Sequence, residues 1–276
     1  MRRRMAPRNL APVGKLVLAT GPLRVRGAVE ERRVDLGKRL SALLGSDVGI
    51  EPCVDYAALE ARIHDGSASL AWVPPALAVR ALDGGHAALL AEVVRGPSAH
   101  FFGTLFVQAA SRVQRVEELR GARVAWVGPD SCSGYLFPRQ ALVLRGLDPG
   151  RFFGEETFCG SHAEVVRRVA SGAVDVGATF FNMDRGRGDS GAISAGWYDA
   201  SDAPMRPIMT TDPIPSDAIC ASSALDPELR VRVLAALLGV TADPAGRAAL
   251  EVIFAAERFA PAREASYAAV RAAMRL

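Results

Sequence analysis

Gly128-Pro129-Asp130-Ser131-Cys132-Ser133-Gly134-Tyr135-Leu136-Phe137-Pro138 is the stretch around which the chain is organised. Arg123-Val124-Ala125-Trp126-Val127 precedes it, apolar, β-prone and short enough for a buried strand. Ala141-Leu142-Val143-Leu144 follows and runs into Gly146 and then Pro149, the ending expected of a helix. A strand, a small hydroxyl-rich loop and a helix together aim free backbone N–H groups at an anion. The first-turn amides lack intrahelical partners, and the helix dipole adds partial positive charge. Ser131 and Ser133 add hydroxyl donors, and Gly134 would let an oxyanion approach the backbone closely. The alternative is a capped helix without a ligand, since Ser is a favoured N-cap.

Around this stretch, 276 residues that are 50% apolar and 23% charged suffice for one large domain or two of ordinary size. The net charge is +3, and Lys15 and Lys38 are the only lysines among the cations. No basic stripe is interleaved with aromatics, so no nucleic-acid partner is expected. Arg2-Arg3-Arg4 opens the sequence, but Pro7, Asn9 and Pro12 interrupt the apolar core that a signal peptide needs. No later run reaches membrane-spanning length. As written, the sequence reads as a cytoplasmic protein that does not span a membrane, with a periplasmic one as the alternative. Cys53, Cys132, Cys159 and Cys220 are scattered without CxxC spacing. Neither zinc nor a dense disulfide framework is expected, and nothing asks for a cofactor.

Residues 1–12 are expected to be a mobile N-terminus. Lys15–Thr20 then reads as a strand, followed by Gly21-Pro22-Leu23-Arg24-Val25-Arg26-Gly27. A helix with Val29, Leu36, Leu40, Leu43 and Leu44 on one face stops at Gly45. Next come a short strand at Val48-Gly49-Ile50 and a helix opened by Asp55-Tyr56, with Leu59 and Ile63 inward and Gly66 as its stop. Leu70–Val73 is a strand ended by Pro74-Pro75, Ala76–Leu82 a short helix, and Ala88–Val94 and Gly103–Ala109 two more strands. The order then recurs. An offset of 107 sets Gly21-Pro22 beside Gly128-Pro129 and Gly27 beside Gly134. One residue fewer sets Tyr56 beside His162, Leu59 beside Val165, Ile63 beside Val169, Gly66 beside Gly172 and Leu70 beside Val176. Two α/β lobes of one design, with largely parallel strands, are expected. Asp175 opens a strand and has Ser69 as its repeat partner, so it is read as structural, satisfying loop amides. A strand at Pro207–Thr210 would return the chain to the first lobe. Helices at Asp226–Gly239, Pro244–Ala256 and Pro261–Arg275 would pack on that lobe.

Several motifs now line up. Tyr56 precedes a helix, Gly66 and Leu70-Ala71-Trp72; Glu117-Glu118-Leu119-Arg120-Gly121-Ala122-Arg123-Val124-Ala125 leads into the second repeat. Gly160-Ser161-His162 is followed by Gly172 and Val174-Asp175-Val176-Gly177, and later by Asp212-Pro213-Ile214-Pro215-Ser216-Asp217. In this order, from about Lys15 to Leu238, they resemble the phosphate- and phosphonate-binding proteins of ABC importers. Ser131-Cys132-Ser133-Gly134 resembles that family's Ser-Thr-Ser-Gly anion loop. The resemblance implies a type II periplasmic-binding-protein fold, with two α/β lobes joined by crossover strands and closing on a ligand between them. The lobes are expected at residues 13–107 plus 208–276 and at residues 108–207. It implies a solute-binding protein for phosphate, phosphite or an alkylphosphonate, not an enzyme, with an ABC permease as partner.

Carried over by this resemblance, the oxyanion would be held by Ser131, Cys132 and Ser133, by Tyr56 from the other lobe and by His162. Asp217 would accept a hydrogen bond from a protonated ligand oxygen. Phe101-Phe102 stands where relatives often have a Tyr pair, so Phe102 lines the site without a hydroxyl, and Cys132 replaces a Thr. Asn182 stands where an aminoalkylphosphonate binder has a Glu for the ammonium. Arg24 and Arg26 are repeat equivalents of Ser131 and Ser133 and would bring a cation from the opposite lobe, the alternative being solvated loop charges. Because an ammonium needs a buried carboxylate, Asn182 beside Phe180 and Phe181 predicts a preference for a small oxyanion over aminoethylphosphonate by about tenfold. Asp184 is the residue that would defeat it.

Two further readings stay open. A Cys132 thiol at a helix start beside His162 would be a nucleophile, although no Asp or Asn is placed to orient the imidazole. A cytoplasmic sensor or interaction module reusing the fold is the other.

Overall fold

The computed structural model describes residues 14–22, 27–95, 99–183, 192–198 and 200–276. The expectations for residues 1–12, Arg24, Arg26 and Asp184 lie outside them. In chain order come β1 (Leu16–Thr20), α1 (Gly27–Leu44), β2 (Val48–Pro52), α2 (Tyr56–His64), β3 (Leu70–Val73), α3 (Pro75–Asp83) and β4 (Ala87–Val94). They are followed by β5 (His100–Gln108), β6 (Arg123–Trp126), a π-helical turn (Cys132–Leu136), α4 (Phe137–Val143), α5 (Pro149–Phe152), β7 (Glu155–Phe158), α6 (His162–Ala170) and β8 (Val176–Met183). β9 (Ala192–Ala195), β10 (Met205–Thr210), β11 (Ile214–Pro215), β12 (Ala218–Ser222), α7 (Pro227–Gly239), α8 (Pro244–Phe254), β13 (Arg258–Pro261) and α9 (Ala268–Ala273) complete the order. No single helix among the described residues is long and apolar enough to cross a membrane.

One sheet runs β13-β4-β12-β3-β1-β2, the other β10-β5-β8-β6-β7 with β9 beside β8 and β11 beside β5. They define two compact units, Met1–Val73, Ala81–Val93 and Ala218–Pro261 in one, Pro74–Arg80, Val94–Asp217 and Ala262–Leu276 in the other.

The repeat is written in hydrogen bonds. β1 pairs parallel with β2 and β3, and β6 does the same with β7 and β8. Leu18 lies opposite Leu70 as Val124 lies opposite Val176. Cys53 N–H donates to Thr20 as Cys159 N–H donates to Trp126. Gly66 and Gly172 close α2 and α6 at φ 75° and 73°, a left-handed conformation that favours glycine. Asp55 and Ser161 cap the same two helices, accepting from Ala58 N–H at 2.7 Å and Glu164 N–H at 3.2 Å, each cap worth about 1 kcal/mol. Ser69 Oγ accepts from Val17 N–H at 3.3 Å, and Asp175 Oδ2 from Arg123 N–H at 2.9 Å. The structural reading of Asp175 holds, and the Arg123 guanidinium bound to it keeps the carboxyl below its usual range.

Apolar periodicity put the inward faces where they are observed. Leu59, Ile63, Val165 and Val169 are buried in their helices, and Leu36, Leu40 and Leu44 of α1 join the first core with Leu229, Val233, Leu237, Leu250 and Phe254. Full burial of a Leu contributes on the order of 2 kcal/mol. Leu43 is instead 53% exposed, because one helical residue turns it about 100° away from Leu44.

Three expectations need correction. β5 pairs along Phe102–Phe106 with β8, and β10 pairs with β5, so these strands belong to the second sheet and not to the first lobe. The stretch after Pro261 is no continuous helix: a 3-10 turn at Glu264–Tyr267 precedes the short α9. α9 also belongs to the second unit, where Tyr267 Oη donates to the Ser216 carbonyl at 2.9 Å.

Candidate functional site

The Ser131–Pro138 stretch takes its shape from two residues that lack something. Pro138 has no N–H, so the Gly134 carbonyl receives nothing from it and accepts instead from Val127 N–H at 3.1 Å. The turn widens to π geometry, with Leu136 N–H reaching Ser131 O and Phe137 N–H reaching Cys132 O. Gly134 lacks a Cβ, which would lie 2.3 Å from Val127 Cγ2 and 2.8 Å from Ser131 Oγ. Its role is therefore packing: the Gly134 N–H is taken by Ser131 Oγ at 3.0 Å, so close approach of an anion there is not its use. The N–H groups of Cys132 and Ser133 take no part in a hydrogen bond among the described residues, as befits first-turn amides. Behind the turn, Tyr135 packs edge-on to the buried Trp126 and carries the Arg139 guanidinium 5.0 Å above its ring. Trp126 Nε1–H and Arg139 Nη1–H both donate to Glu156 Oε2, at 2.6 and 3.0 Å. In front, Gly103 of β5 approaches so closely that a Cβ would stand 2.8 Å from the Ser133 carbonyl.

Cys132 and Ser133 are both buried. Burial pushes the Cys132 thiol up to about 12, Asp217 and Asp130 push the same way, and the Ala76 N–H and Arg80 pull against them. Asp217, expected as a ligand acceptor, is one of the charges that raise this thiol. It is also paired: Arg95 Nη2–H donates to it at 2.5 Å. Asp130, inside the loop, accepts from Arg80 Nη1 at 2.6 Å. Neither arginine was singled out in the sequence.

His162 opens α6, and its Nδ1 lies 2.9 Å from Thr179 Oγ1 while its ring meets the edge of Phe180 at 5.2 Å. Phe180 faces Gly103 across the β5–β8 ladder, so Ser133, Gly103, Phe180 and His162 form one chain of neighbours. Phe102 pairs with Phe181 one step along. Asn182 Nδ2–H donates to Ser194 Oγ at 2.8 Å, tying β8 to β9. Burial lowers His162 from 6.5 to about 4, so the ring is neutral at pH 7 and offers at most one N–H to an anion. The unfolded chain binds the proton that the folded ring refuses, so stability should fall as pH drops from about 6.5 towards 4. Between pH 7 and 5 urea titrations should lose about 2 kcal/mol, a loss absent from His162→Gln. The same slope in that variant would assign it to other groups.

In the first unit, Tyr56 opens α2 with its side chain 46% exposed, at the position equivalent to His162. Its ring lies on Gly21, where a Cβ would meet Cε1 at 2.6 Å.

A family model described as ABC transporter, phosphonate, periplasmic substrate-binding protein matches residues 24–267. The phosphate-import protein PhnD of Mycolicibacterium smegmatis is 26% identical over 207 residues, which cover 70% of this chain and 61% of that protein. The match thus spans less than two thirds of this relative's length. A solved Xanthomonas citri protein bound to ATP superposes with a TM-score of 0.76 at 22% identity, over 95% of this chain and 98% of that one. A Prochlorococcus marinus protein in complex with methylphosphonate gives 0.72 at 20% identity, over 95% and 97%. At such identities the structural likeness speaks for the fold, the two-lobed α/β fold of periplasmic binding proteins. The family model covers most of the chain, and the Ser131–Gly134 loop falls within it: the chain belongs to the phosphonate family of periplasmic substrate-binding proteins of ABC transporters.

Proposed function

We propose that the chain captures a small phosphorus oxyanion, phosphate, phosphite or an alkylphosphonate, on the Ser131–Ser133 loop and delivers it to an ABC permease. The observation that carries this is the pair of first-turn amides at Cys132 and Ser133, held beside the Ser131 hydroxyl on a turn braced from both sides. Ser131 Oγ accepts from Gly134 and keeps its own proton to give to a ligand. His162, Asn182 and Phe102 would line the same site, Tyr56 would add a donor from the first unit, and hinge closure would follow ligand contact. The two functional lobes are taken to be the two compact units, with Arg24 as a further cation.

The family is one of transport proteins and not of enzymes. The finer reading, that this chain has no catalytic activity, is supported by Cys132 and His162: the thiol is held protonated, and the imidazole is turned to Thr179. The family is also periplasmic, which favours the periplasm over the cytoplasm expected from the N-terminal residues. Osmotic-shock fractionation should release the protein, and retention in the cytoplasm would favour a sensor.

A thermal-shift panel of phosphate, phosphite, methylphosphonate, sulfate and aminoethylphosphonate on dialysed protein tests the binding reading. Methylphosphonate should raise Tm, and Ser131→Ala should weaken it about tenfold by calorimetry, roughly 1.4 kcal/mol. Aminoethylphosphonate should bind about tenfold more weakly than methylphosphonate, because Asn182 can hydrogen-bond an ammonium without neutralising it. Equal or tighter binding of the amine would reveal a carboxylate in the site. A panel without any shift would overturn the proposal.

A further inference from the structure

Thr179 lies in the middle of β8 and is fully buried. Its backbone faces Thr104 of β5, and the turn after β9 closes over its side chain. Gly196 N–H donates to the Phe180 carbonyl at 3.1 Å, and a Cβ on Gly196 would stand 1.9 Å from Thr179 Oγ1. The hydroxyl is thereby shut off from bulk water. Its one hydrogen-bond partner among the described residues is His162 Nδ1, at 2.9 Å. The other ring nitrogen, Nε2, takes part in no hydrogen bond among the described residues. The Phe180 ring, edge-on to the imidazole at 5.2 Å, and Gly103 opposite it on β5 lead from His162 to the Ser133 carbonyl.

Resting on the oxyanion-binding reading above, we infer that Thr179 is a positioning residue of the site: its hydroxyl holds His162 as the Nε2–H tautomer, so the ring gives a hydrogen bond to the captured anion and cannot accept one. Hydrogen-bond accounting assigns the proton. The ring is neutral at pH 7, so one nitrogen carries a proton and the other accepts. A threonine hydroxyl can donate or accept, but once buried its proton needs an acceptor, and His162 Nδ1 is the acceptor within reach. Were Nδ1 to carry the ring proton, it would donate to Thr179 and leave the hydroxyl's own proton unpaired. Thr179 therefore donates, and its stiff β-branched χ1 fixes the direction in which it does so. The ring proton sits on Nε2. The ligand oxygen that meets it must bring a lone pair, and a P–O–H proton pointed at the ring finds no acceptor there. A ligand that carries a proton keeps it on a different oxygen.

Long-range proton–nitrogen NMR of histidine-labelled full chain at about pH 7.5 reads the tautomer without any ligand. The chain has four histidines, and His162→Gln identifies the pattern that belongs to residue 162. Wild-type protein should show a single tautomer with Nε2 protonated, and Thr179→Val, which keeps the shape and removes the hydroxyl, should admit the other one. Calorimetry with methylphosphonate then measures the consequence. Thr179→Val should weaken binding about fivefold to tenfold, and Thr179→Ser, which restores the donor, should return to within about threefold of wild type. A proton on Nδ1 in the wild type, or unchanged tautomer and affinity in Thr179→Val, would overturn the inference, while methylphosphonate bound by the wild type leaves the binding reading standing. A loss that Thr179→Ser does not recover would assign the effect to packing and overturn the inference equally. Should Thr179→Val fail to fold, the wild-type tautomer and Thr179→Ser still decide. A wild-type protein with its proton on Nε2 that binds neither phosphate, phosphite nor methylphosphonate would bring down the binding reading, and with it the hydrogen bond to the anion.

Discussion

At pH 7.5, iodoacetamide should modify Cys132 in the native protein about a thousandfold more slowly than in urea. The thiolate is the nucleophile, and moving a thiol from its ordinary value of 9.0 up to about 12 makes the thiolate about a thousandfold rarer. Burial is the main cause, with Asp217 and Asp130 adding to it. His162 does not offset this, since its Nδ1 is bound to Thr179 and its own affinity for a proton is low. Cys53 and Cys220 are buried as well, so Cys159, the one thiol of the four that is not, should be labelled first. Peptide mass spectrometry over a time course separates the sites. Labelling of Cys132 ahead of Cys159 in native protein would revive the nucleophile reading, and it is the outcome that the family makes least expected.

Gly134→Ala should lower oxyanion affinity by at least about a hundredfold and cost roughly 1–3 kcal/mol of stability. The added Cβ would meet Val127 at both Cγ2, 2.3 Å, and Cβ, 2.6 Å, and Ser131 Oγ at 2.8 Å. Val127 is β-branched, and rotation about χ1 leaves its Cβ in place. The turn must shift, and with it the Cys132 and Ser133 amides and the Ser131 hydroxyl that caps it. Removing the obstacle separates this from a general folding defect. Val127→Gly combined with Gly134→Ala should recover most of the lost affinity. Calorimetry on both variants, with urea titrations alongside, reads the two effects. Full affinity in the single variant would mean that the turn does not present the ligand's donors.

What local chemistry governs was legible in the sequence. The stop at Gly66 and its repeat partner Gly172, the helix start at Asp55, and the inward Leu59, Ile63, Val165 and Val169 all follow from side-chain spacing within one turn or one helix. Asp175 was legible for a different reason, since the repeat paired it with Ser69 and thereby exposed its backbone role. The misses are pairings across long stretches of chain. Strand patterns do not say which sheet a crossover strand joins, so β5 and β10 were placed with the wrong partners. Arg95 and Asp217 stand 122 residues apart in sequence, yet Glu92 of β4 lies opposite Ala218 of β12. Recognising that antiparallel pair would have put both residues at the same end of it. The role of Gly134 was misread because its space is filled by Val127, a contact that only the π turn creates.

The placement of β12 has a consequence for the order of events during synthesis. It is hydrogen-bonded between β3 and β4, and among the described residues the other sheet neighbour of β4 is β13, which is later still. As the chain leaves the ribosome, β1, β2 and β3 can pair at once, while β4 must wait for residues 218–222 to be made. At ordinary elongation rates that delay is on the order of ten seconds. The first unit therefore stays open through most of translation, with its early strands unable to finish a core whose lid of α7 and α8 does not yet exist.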